Sequence, residues 1–321
     1  MTAELAVCGG SGFIGRHLIR ALANDRAAQV RVLVHQRDPG ESLTASNVIA
    51  ASGDLIRPDS LGALITTGCT VVNLAYMPAK SRDENLAAVT NLASACRIGK
   101  ARRMVHVSTA TVVGAASGDV ITESTPPDPR DDYEWAKLEI ERRLIVEARN
   151  AFELIILRPT AVFGPRGKNL VKLASSLLAG TSVRNYFRSC LHGRRQMNLV
   201  CVDNVVAAIQ FAVRAHVTAG AETFIVSDDD DDLNNYHDVE STLRTRFGWN
   251  AYVVPPLPLP TAFLKMILKF RGRSNANPNR VYSSAKLTNA GFERPTPLAA
   301  GLVLFADWYR QTYAPSANIP G

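Results

Sequence analysis

The sequence predicts an open parallel α/β sheet with helices on both faces. A glycine-rich turn, residues 9–15, joins a short apolar strand to a helix at the start of the chain. Apolar segments of strand length then alternate with segments of helical periodicity as far as about residue 157. Because parallel strands need right-handed crossovers, this alternation predicts a doubly wound sheet.

The glycine-rich turn is the element on which this prediction depends. Glycines at positions 9, 12 and 15 allow a tight turn, close approach of a pyrophosphate to the backbone and packing of the helix on the strand. Unpaired N–H groups at the start of the helix then face the phosphates. A turn without a ligand is the alternative. The residues that follow keep one apolar side at helical spacing: Ile14, Leu18, Ile19 and Leu22.

The end of the second strand, residues 30–35, favours NADP. No carboxylate stands at this strand tip, where NAD-selective proteins usually place Asp or Glu for the ribose hydroxyls. His35 and Arg37 are there instead, and an arginine accommodates the 2′-phosphate of NADP. NAD remains possible, and Arg37 as a solvated loop charge is the other interpretation.

The remaining elements extend the pattern and then change it. Beyond Gly164 the periodicity is less regular, which predicts a dinucleotide-binding domain over 1–164 and a smaller substrate-binding region over 165–321. Strands at 198–202 and 223–226 flank a helix at 205–213, so about 198–227 is expected to return to the first sheet. The aspartate run 228–232 is expected in solvent. Further strands are predicted at 71–75, 103–108 and 154–157, and helices at 59–64, 83–99 and 133–148.

Composition narrows the class of protein. With 321 residues, 46% of them hydrophobic, the chain is long enough to bury a large core. Its five cysteines and six histidines show no spacing typical of disulfides or metal sites, so reduced, mainly buried thiols and no metal are expected. The net charge of +7 forms no dense run and accompanies no nucleic-acid motif. An anionic small substrate or an anionic membrane surface explains it.

Targeting signals are not predicted. The first strand begins almost at the N-terminus and no apolar run reaches the roughly 18 residues of a membrane span, so a cytoplasmic protein is expected. The segment 261–273 reads as a basic amphipathic helix, which either contacts a membrane surface or packs on its own domain.

Two residues four apart on the helix 133–148 carry proton chemistry. This spacing places the phenol of Tyr133 and the ammonium of Lys137 on one helical face, where the cation stabilises phenolate. Ser108 and Thr109 leave a strand at its carboxyl end, where open parallel sheets bind their ligands. A hydroxyl there can orient the substrate oxygen, although local backbone capping is the alternative for both.

Together these motifs resemble the extended short-chain dehydrogenase/reductase family, also called NAD-dependent epimerases/dehydratases, over nearly the whole chain. Arg158-Pro159, Gly164-Pro165 and the closing segments 283–287 and 291–292 match as well. The resemblance implies a Rossmann-type fold and the catalytic trio Thr109, Tyr133 and Lys137. With the residues above, the expected cofactor contacts are Gly9, Gly12, Phe13, Ile14, Gly15, His35, Arg37, Asp54, Leu55, Leu74, Ala75, Asn85, Tyr133, Lys137, Pro159 and Val162.

Departures from the family pattern reduce the number of reactions expected of this chain. The dehydratases carry Asp-Glu after the catalytic threonine, where this chain has Ala110 and Thr111, so dehydration is not expected. UDP-galactose-type epimerases have asparagine and arginine where Ala161 and Met197 stand, which weakens that assignment. The expected substrate contacts are Thr109, Tyr133, Arg166, Lys168, Asn169 and Arg195.

The function expected from sequence is hydride transfer between NAD(P) and a nucleotide-linked sugar. Because NADP is favoured, net 4-keto reduction is preferred over epimerisation. The alternatives are a nucleotide-sugar epimerase, a reductase of hydrophobic ketones of the flavonol or hydroxysteroid type, and a non-catalytic NADP-binding sensor. The resemblance also implies a homodimer through helices 83–99 and 133–148; no nucleic-acid partner is expected.

Overall fold

The computed structural model describes residues 3–25, 28–36, 44–215, 220–260 and 277–313. Arg37 and the predicted amphipathic helix 261–273 lie outside this part of the chain. The chain divides into two compact units. The first comprises Met1–Val113, Pro127–Pro159 and Val205–Phe224, and the second comprises Gly114–Pro126, Thr160–Asn204 and Ile225–Gly321.

A seven-stranded sheet forms the centre of the first unit and confirms the predicted fold class. The strands are β1 Ala3–Cys8, β2 Ala28–Val34, β3 Val48–Ser52, β4 Thr70–Asn73, β5 Arg103–Val107, β7 Glu153–Pro159 and β10 Ala221–Val226. Their order in the sheet is β10-β7-β5-β4-β1-β2-β3, so the strand order reverses beside β1. In such sheets the crevice at the reversal is the ligand site.

Apolar strand residues are buried because helices cover the sheet. Val71, Met104 and Leu154 from three neighbouring strands share one core cluster with Leu92 and Leu144 from two helices. The predicted helix at 59–64 is instead a short 3-10 turn, Pro58–Leu61. The helices around this sheet are α1 Phe13–Asn24, α2 Arg82–Ile98, α3 Asp132–Ala148 and α6 Val202–Arg214.

The second unit has its own core and two short strand pairs. The predicted strand at 198–202 does not return to the large sheet; β9 pairs with β8, residue Ala161 opposite Leu199. Only β10 of the two predicted returning strands joins the large sheet. The remaining elements are β6 Val120–Ile121, β8 Ala161–Phe163, α4 Val171–Leu178, α5 Ser182–His192, β9 Leu199–Cys201, α7 Tyr236–Arg246, β11 Val281–Tyr282, α8 Ala285–Asn289 and α9 Leu298–Tyr313.

The aspartate run was wrongly expected in solvent, because its first two members are buried. Asp228 accepts hydrogen bonds from the backbone of Cys201 and the amide of Asn204. Asp229 accepts from Asn198 at 2.7 Å and from the backbone N–H of Tyr282 at 2.8 Å. Burial raises the pKa of Asp229 to about 6, while these donors oppose the rise. The charge of the run predicted exposure, but it could not show that hydrogen-bond donors distant in sequence satisfy the two buried carboxylates.

All five cysteines are free thiols, and four are buried. Burial raises the pKa of the Cys8 thiol to about 12. No helix among the described residues is long and apolar enough to cross a membrane.

A methyl group at Gly15 is expected to destabilise the first unit. An added Cβ would lie 2.3 Å from the carbonyl oxygen of Gly9, so backbone must move. Overpacking of this kind costs about 1–3 kcal/mol. Urea unfolding of Gly15→Ala should therefore show a lower midpoint. Gly62→Ala is the matched control, because nothing lies within 4 Å of its Cβ and its φ is −59°. Equal stability of the two variants would contradict the packing.

Candidate active site

The backbone of the glycine turn packs closely against the backbone of the loop that follows β4. Gly9 has φ +81°, and a Cβ there would come within 2.7 Å of the backbone of Leu74 and Ala75. The N–H of Gly12 donates to the Gly9 carbonyl at 3.1 Å, which closes the turn. A Cβ at Gly9 or Gly15 would collide with protein backbone, so the turn can adopt this shape only with glycine at both positions.

The start of α1 offers its backbone N–H groups without competition. Gly12 is the N-cap, and among the described residues no side chain caps the helix and no acid stands in its first turn. Phe13, Ile14 and Gly15 form that first turn. Orphan N–H groups at a helix start, together with the helix dipole, favour an anion. These residues therefore fit the diphosphate of a dinucleotide.

Asp54 and His35 lie together at the tip of β2. The Nε2 of His35 is 3.5 Å from a carboxylate oxygen of Asp54. The other oxygen of Asp54 accepts from the N–H of Ile56 at 3.0 Å and holds the turn that contains Leu55. The carboxylate of Asp54 therefore lies close to the end of β2, although it belongs to the loop that follows β3. The sequence pattern did not show this proximity.

Asn85, an expected cofactor contact, fixes the loop after β4. Its Oδ1 accepts from the N–H of Met77 at 2.9 Å, and its Nδ2 donates to the carbonyls of Met77 and Ser81 at 3.0 Å. The side chain is buried, and both ends are used by these contacts. Its observed role is therefore to shape the loop beside Leu74 and Ala75.

A buried polar pair that sequence reasoning missed supports the same loop. The N–H of Ala75 donates to Asn73 Oδ1 at 3.0 Å, so Asn73 Nδ2 points to His106 Nδ1 at 3.2 Å. Because that amide nitrogen donates, His106 Nδ1 must accept, and its proton lies on Nε2. Burial, and then the charge of Lys137, hold the pKa of His106 well below its usual range. His106 is therefore neutral.

The side chains of Thr109 and Tyr133 lie near each other in the first unit. Thr109 follows β5, and Tyr133 stands in the first turn of α3 behind the N-cap Asp131. Partial burial of the phenol, followed by the influence of Tyr76, raises the pKa of Tyr133 above its ordinary value, and a hydrogen bond from the Thr109 side chain opposes the rise. Tyr133 is consequently a phenol at neutral pH, ready to donate a proton.

Lys137 is almost completely buried one turn along α3. Its Nζ donates to the carbonyl of Val107 at 3.3 Å and lies 5.0 Å from the centre of the Tyr76 ring. Burial lowers the pKa of Lys137 to about 8, and the charge of Glu141 opposes this. The ammonium is still charged at pH 7.

Arg158 neutralises the carboxylate below this lysine. Its Nε and Nη2 donate to the two oxygens of Glu141 at 3.0 and 2.6 Å, and both side chains are buried. Such a bidentate pair is geometrically specific. Arg158 on β7 thus forms a buried ion pair with helix α3, on the turn that follows Lys137.

Tyr76 contacts both Tyr133 and Lys137, and the sequence analysis did not identify it. Its ring centre lies 5.2 Å from that of Tyr133, with an interplanar angle of 84°. The same ring faces the Lys137 ammonium, an arrangement that stabilises a cation. Its place directly after the predicted strand 71–75, at a carboxyl edge, was the signal available in the sequence.

The other expected ligand contacts belong to the second unit. Arg166 and Lys168 are exposed, and Arg166 has φ 69°. Asn169 donates to the carbonyl of Val162 at 2.7 Å. The carbonyl of Arg195 accepts from the N–H of Tyr236 at 2.9 Å. Val162 lies in β8, whereas Pro159 ends β7 of the first unit.

Residues 5–226 match the model of the NAD dependent epimerase/dehydratase family. The chain is 25% identical over 288 residues to UDP-glucose 4-epimerase of Vibrio cholerae, covering 86% of this chain and 84% of the relative. It is 24% identical over 328 residues to N-acetyl-alpha-D-glucosaminyl-diphospho-ditrans,octacis-undecaprenol 4-epimerase of Escherichia coli O157:H7, covering 94% of each.

The fold is similar to that of UDP-glucuronic acid 4-epimerase from Bacillus cereus, solved in complex with NAD. The TM-score is 0.73 at 20% identity, over 99% of this chain and 100% of the other. At this identity the likeness concerns the fold.

Lys137→Met is expected to stabilise the protein. The pKa of Lys137 is about 8 in the fold, below the roughly 10.4 of an unfolded chain, so burial of the ammonium opposes folding by about 3 kcal/mol below pH 8. Between these values the unfolded chain binds more protons, so the free energy of unfolding of the wild type rises with pH. In Lys137→Met that rise should vanish, and stability at pH 7 should increase by ~1–3 kcal/mol.

Denaturant unfolding between pH 6 and 10 measures both effects. Lys172→Met, at an exposed lysine, is the matched control and should change stability by no more than about 0.5 kcal/mol. A Lys137→Met protein less stable than the wild type at pH 7 would mean that the contacts to Val107 and Tyr76 outweigh burial.

Proposed function

The chain belongs to the NAD dependent epimerase/dehydratase family, and on this basis we propose that it interconverts a hydroxyl and a ketone at C4 of a diphosphate-linked sugar. The observation that carries the proposal is the placement of Thr109, Tyr133 and Lys137 in one unit with the glycine turn. When bound, NAD or NADP supplies the group that accepts and returns a hydride.

Tyr133 transfers the proton to and from the sugar oxygen. In the direction of reduction its phenol donates a proton to the forming alkoxide, and in the direction of oxidation its phenolate takes the hydroxyl proton. Its raised pKa keeps the phenol protonated at neutral pH, so the proton is present for donation. Thr109 orients the same oxygen through its hydroxyl, and the Lys137 ammonium stabilises the phenolate formed after donation.

Epimerisation is the first candidate reaction. The Vibrio cholerae and Escherichia coli relatives that match over most of both chains are both 4-epimerases by name. Epimerisation needs Tyr133 to take and return one proton in a single catalytic cycle, with the sugar presenting each face in turn. The lack of Asp-Glu after Thr109 argues against dehydration, as Ala110 and Thr111 carry no titratable group.

Net 4-keto reduction is the second candidate. It is supported by the absence of an acid on β2 itself at the strand tip and by Arg37, which favour NADP. The pairing of His35 with Asp54 weakens this support, because the carboxylate offsets a protonated imidazole and would repel a 2′-phosphate.

The sugar diphosphate would bind in the second unit. Arg166, Lys168 and Arg195 supply cations, and no acid occurs between residues 160 and 202. Asn169 contributes less, because its amide already donates to Val162. A homodimer through α2 and α3 is part of the proposal, and those helices expose Ile98, Trp135 and Val146.

Tyr133→Phe is expected to lower turnover at least about 10²-fold, because it removes the proton-transfer group and little volume. Nucleotide-linked and polyprenyl-diphosphate-linked sugars are supplied with NAD or NADP, and C4 epimers or reduced products are separated by chromatography. Binding of NADH, followed by fluorescence, should remain within about threefold of the wild type. Tyr186→Phe in the second unit is the matched control. A Tyr133→Phe enzyme that keeps its turnover would contradict the assigned role.

Cofactor choice separates the two candidate reactions. If Arg37 contacts a 2′-phosphate, the charge-assisted hydrogen bond is worth about 1.5–3 kcal/mol, or roughly 10- to 100-fold in affinity for NADPH over NADH. Arg37→Ala should then erase that preference, whereas Arg142→Ala, at an exposed arginine on α3, should not. Titration of nucleotide-free protein measures both affinities. Equal or tighter binding of NADH, or NAD retained through purification, would exclude the NADP-linked reductase and leave the epimerase.

A further inference from the structure

Helix α5 of the second unit buries two polar side chains and exposes two large apolar ones, which is the reverse of what a helix packed on its own core usually does. Asn185 and Ser189 on its inner side are each 1% exposed. Val183 and Phe187, one turn apart, are 65% and 66% exposed. Surface helices normally bury their apolar stripe and expose their polar one. Among the described residues, the outer stripe of α5 is therefore an exposed apolar surface.

A proline-rich segment extends the same apolar surface. The rings of Tyr186 on α5 and Tyr252 are 5.4 Å apart, and the N–H of Leu259 donates to the carbonyl of Cys190 at 2.9 Å. Residues 252–259 thus run along α5. Val253 is 101% exposed and Leu257 is 73% exposed. The apolar face is defined as Val183, Phe187, Val253, Val254, Leu257 and Leu259.

The chain around this face is basic. From residue 160 to 202 there are seven Lys or Arg side chains and no Asp or Glu, and the segment 250–260 has no charged residue. Arg184 is exposed beside Val183. Arg194, just beyond α5, is also exposed and pairs with Asp238 at 3.1 Å. Apolar side chains flanked by arginines suit a surface that is apolar within and anionic at its boundary.

We propose that the apolar face inserts into the headgroup region of an anionic lipid bilayer. The large exposed apolar side chains suit insertion between lipids, and the exposed Arg184 beside Val183 suits anionic headgroups. The guanidinium of Arg184 contacts lipid phosphates. This surface consists of residues that the structure describes.

Vesicle co-sedimentation of the full chain tests the proposal. The protein should bind phosphatidylcholine vesicles containing phosphatidylglycerol, bind pure phosphatidylcholine far less, and lose affinity as salt is raised. Val183→Ser combined with Phe187→Ser should weaken binding at least about tenfold, because two large apolar side chains no longer insert. Leu304→Ser, a half-exposed leucine on α9 of the same unit, is the matched control and should bind as the wild type does.

Phe187→Trp reports the location directly and preserves the apolar character. Its additional emission should shift to the blue on adding anionic vesicles and be quenched by brominated acyl chains. This variant decides the matter if the double serine variant does not fold. Three results would overturn the proposal: equal binding to neutral vesicles, unchanged binding of the folded double variant, or a Phe187→Trp emission already blue-shifted without lipid. The last would mean that another part of the chain or a second copy covers the face.

Discussion

The burial of one ammonium group organises the chemical centre of the first unit. The Lys137 ammonium is buried, and three neighbours compensate for its lost hydration. The Val107 carbonyl accepts a hydrogen bond from it, the Tyr76 ring faces its charge, and the Glu141 carboxylate attracts it from the next turn of the helix. His106 stays neutral nearby, which avoids a second buried cation. These neighbours come from β5, from the loop after β4 and from α3 itself, so these three elements must be in place for the buried ammonium to be tolerated.

The second constraint is the distance between the glycine turn and the loop after β4. Contact between two backbones leaves no space for side chains, and the loop itself must therefore be held in one shape. Asn85 and the Asn73–His106 pair do this through hydrogen bonds to backbone groups. The side chains of these residues bind groups of the protein itself, and the shape of the crevice beside the glycine turn depends on them.

The features predictable from the sequence were those encoded by local pattern. Alternating segments and the glycine spacing predicted the doubly wound sheet, and the four-residue spacing of Tyr133 and Lys137 placed both on α3. Contacts across long sequence separations were not predictable. Tyr76 meets Tyr133 through the order of the strands, and Asp228 is buried because Asn204 and Cys201 reach it from another element. Strand β9 looked like a sheet member by composition, but composition does not specify a pairing partner.

The buried thiols have a practical chemical consequence. Burial raises the pKa of Cys8 and of Cys201 to about 12, and it raises the pKa of Cys69 and Cys96 as well. Because only thiolate is a strong nucleophile, these four groups are nearly inert toward alkylating reagents and mild oxidants at neutral pH. Cys190, which is partly exposed, is the natural position for a covalent probe. A spectroscopic label on the second unit could thus be introduced into the native sequence without replacing any other cysteine.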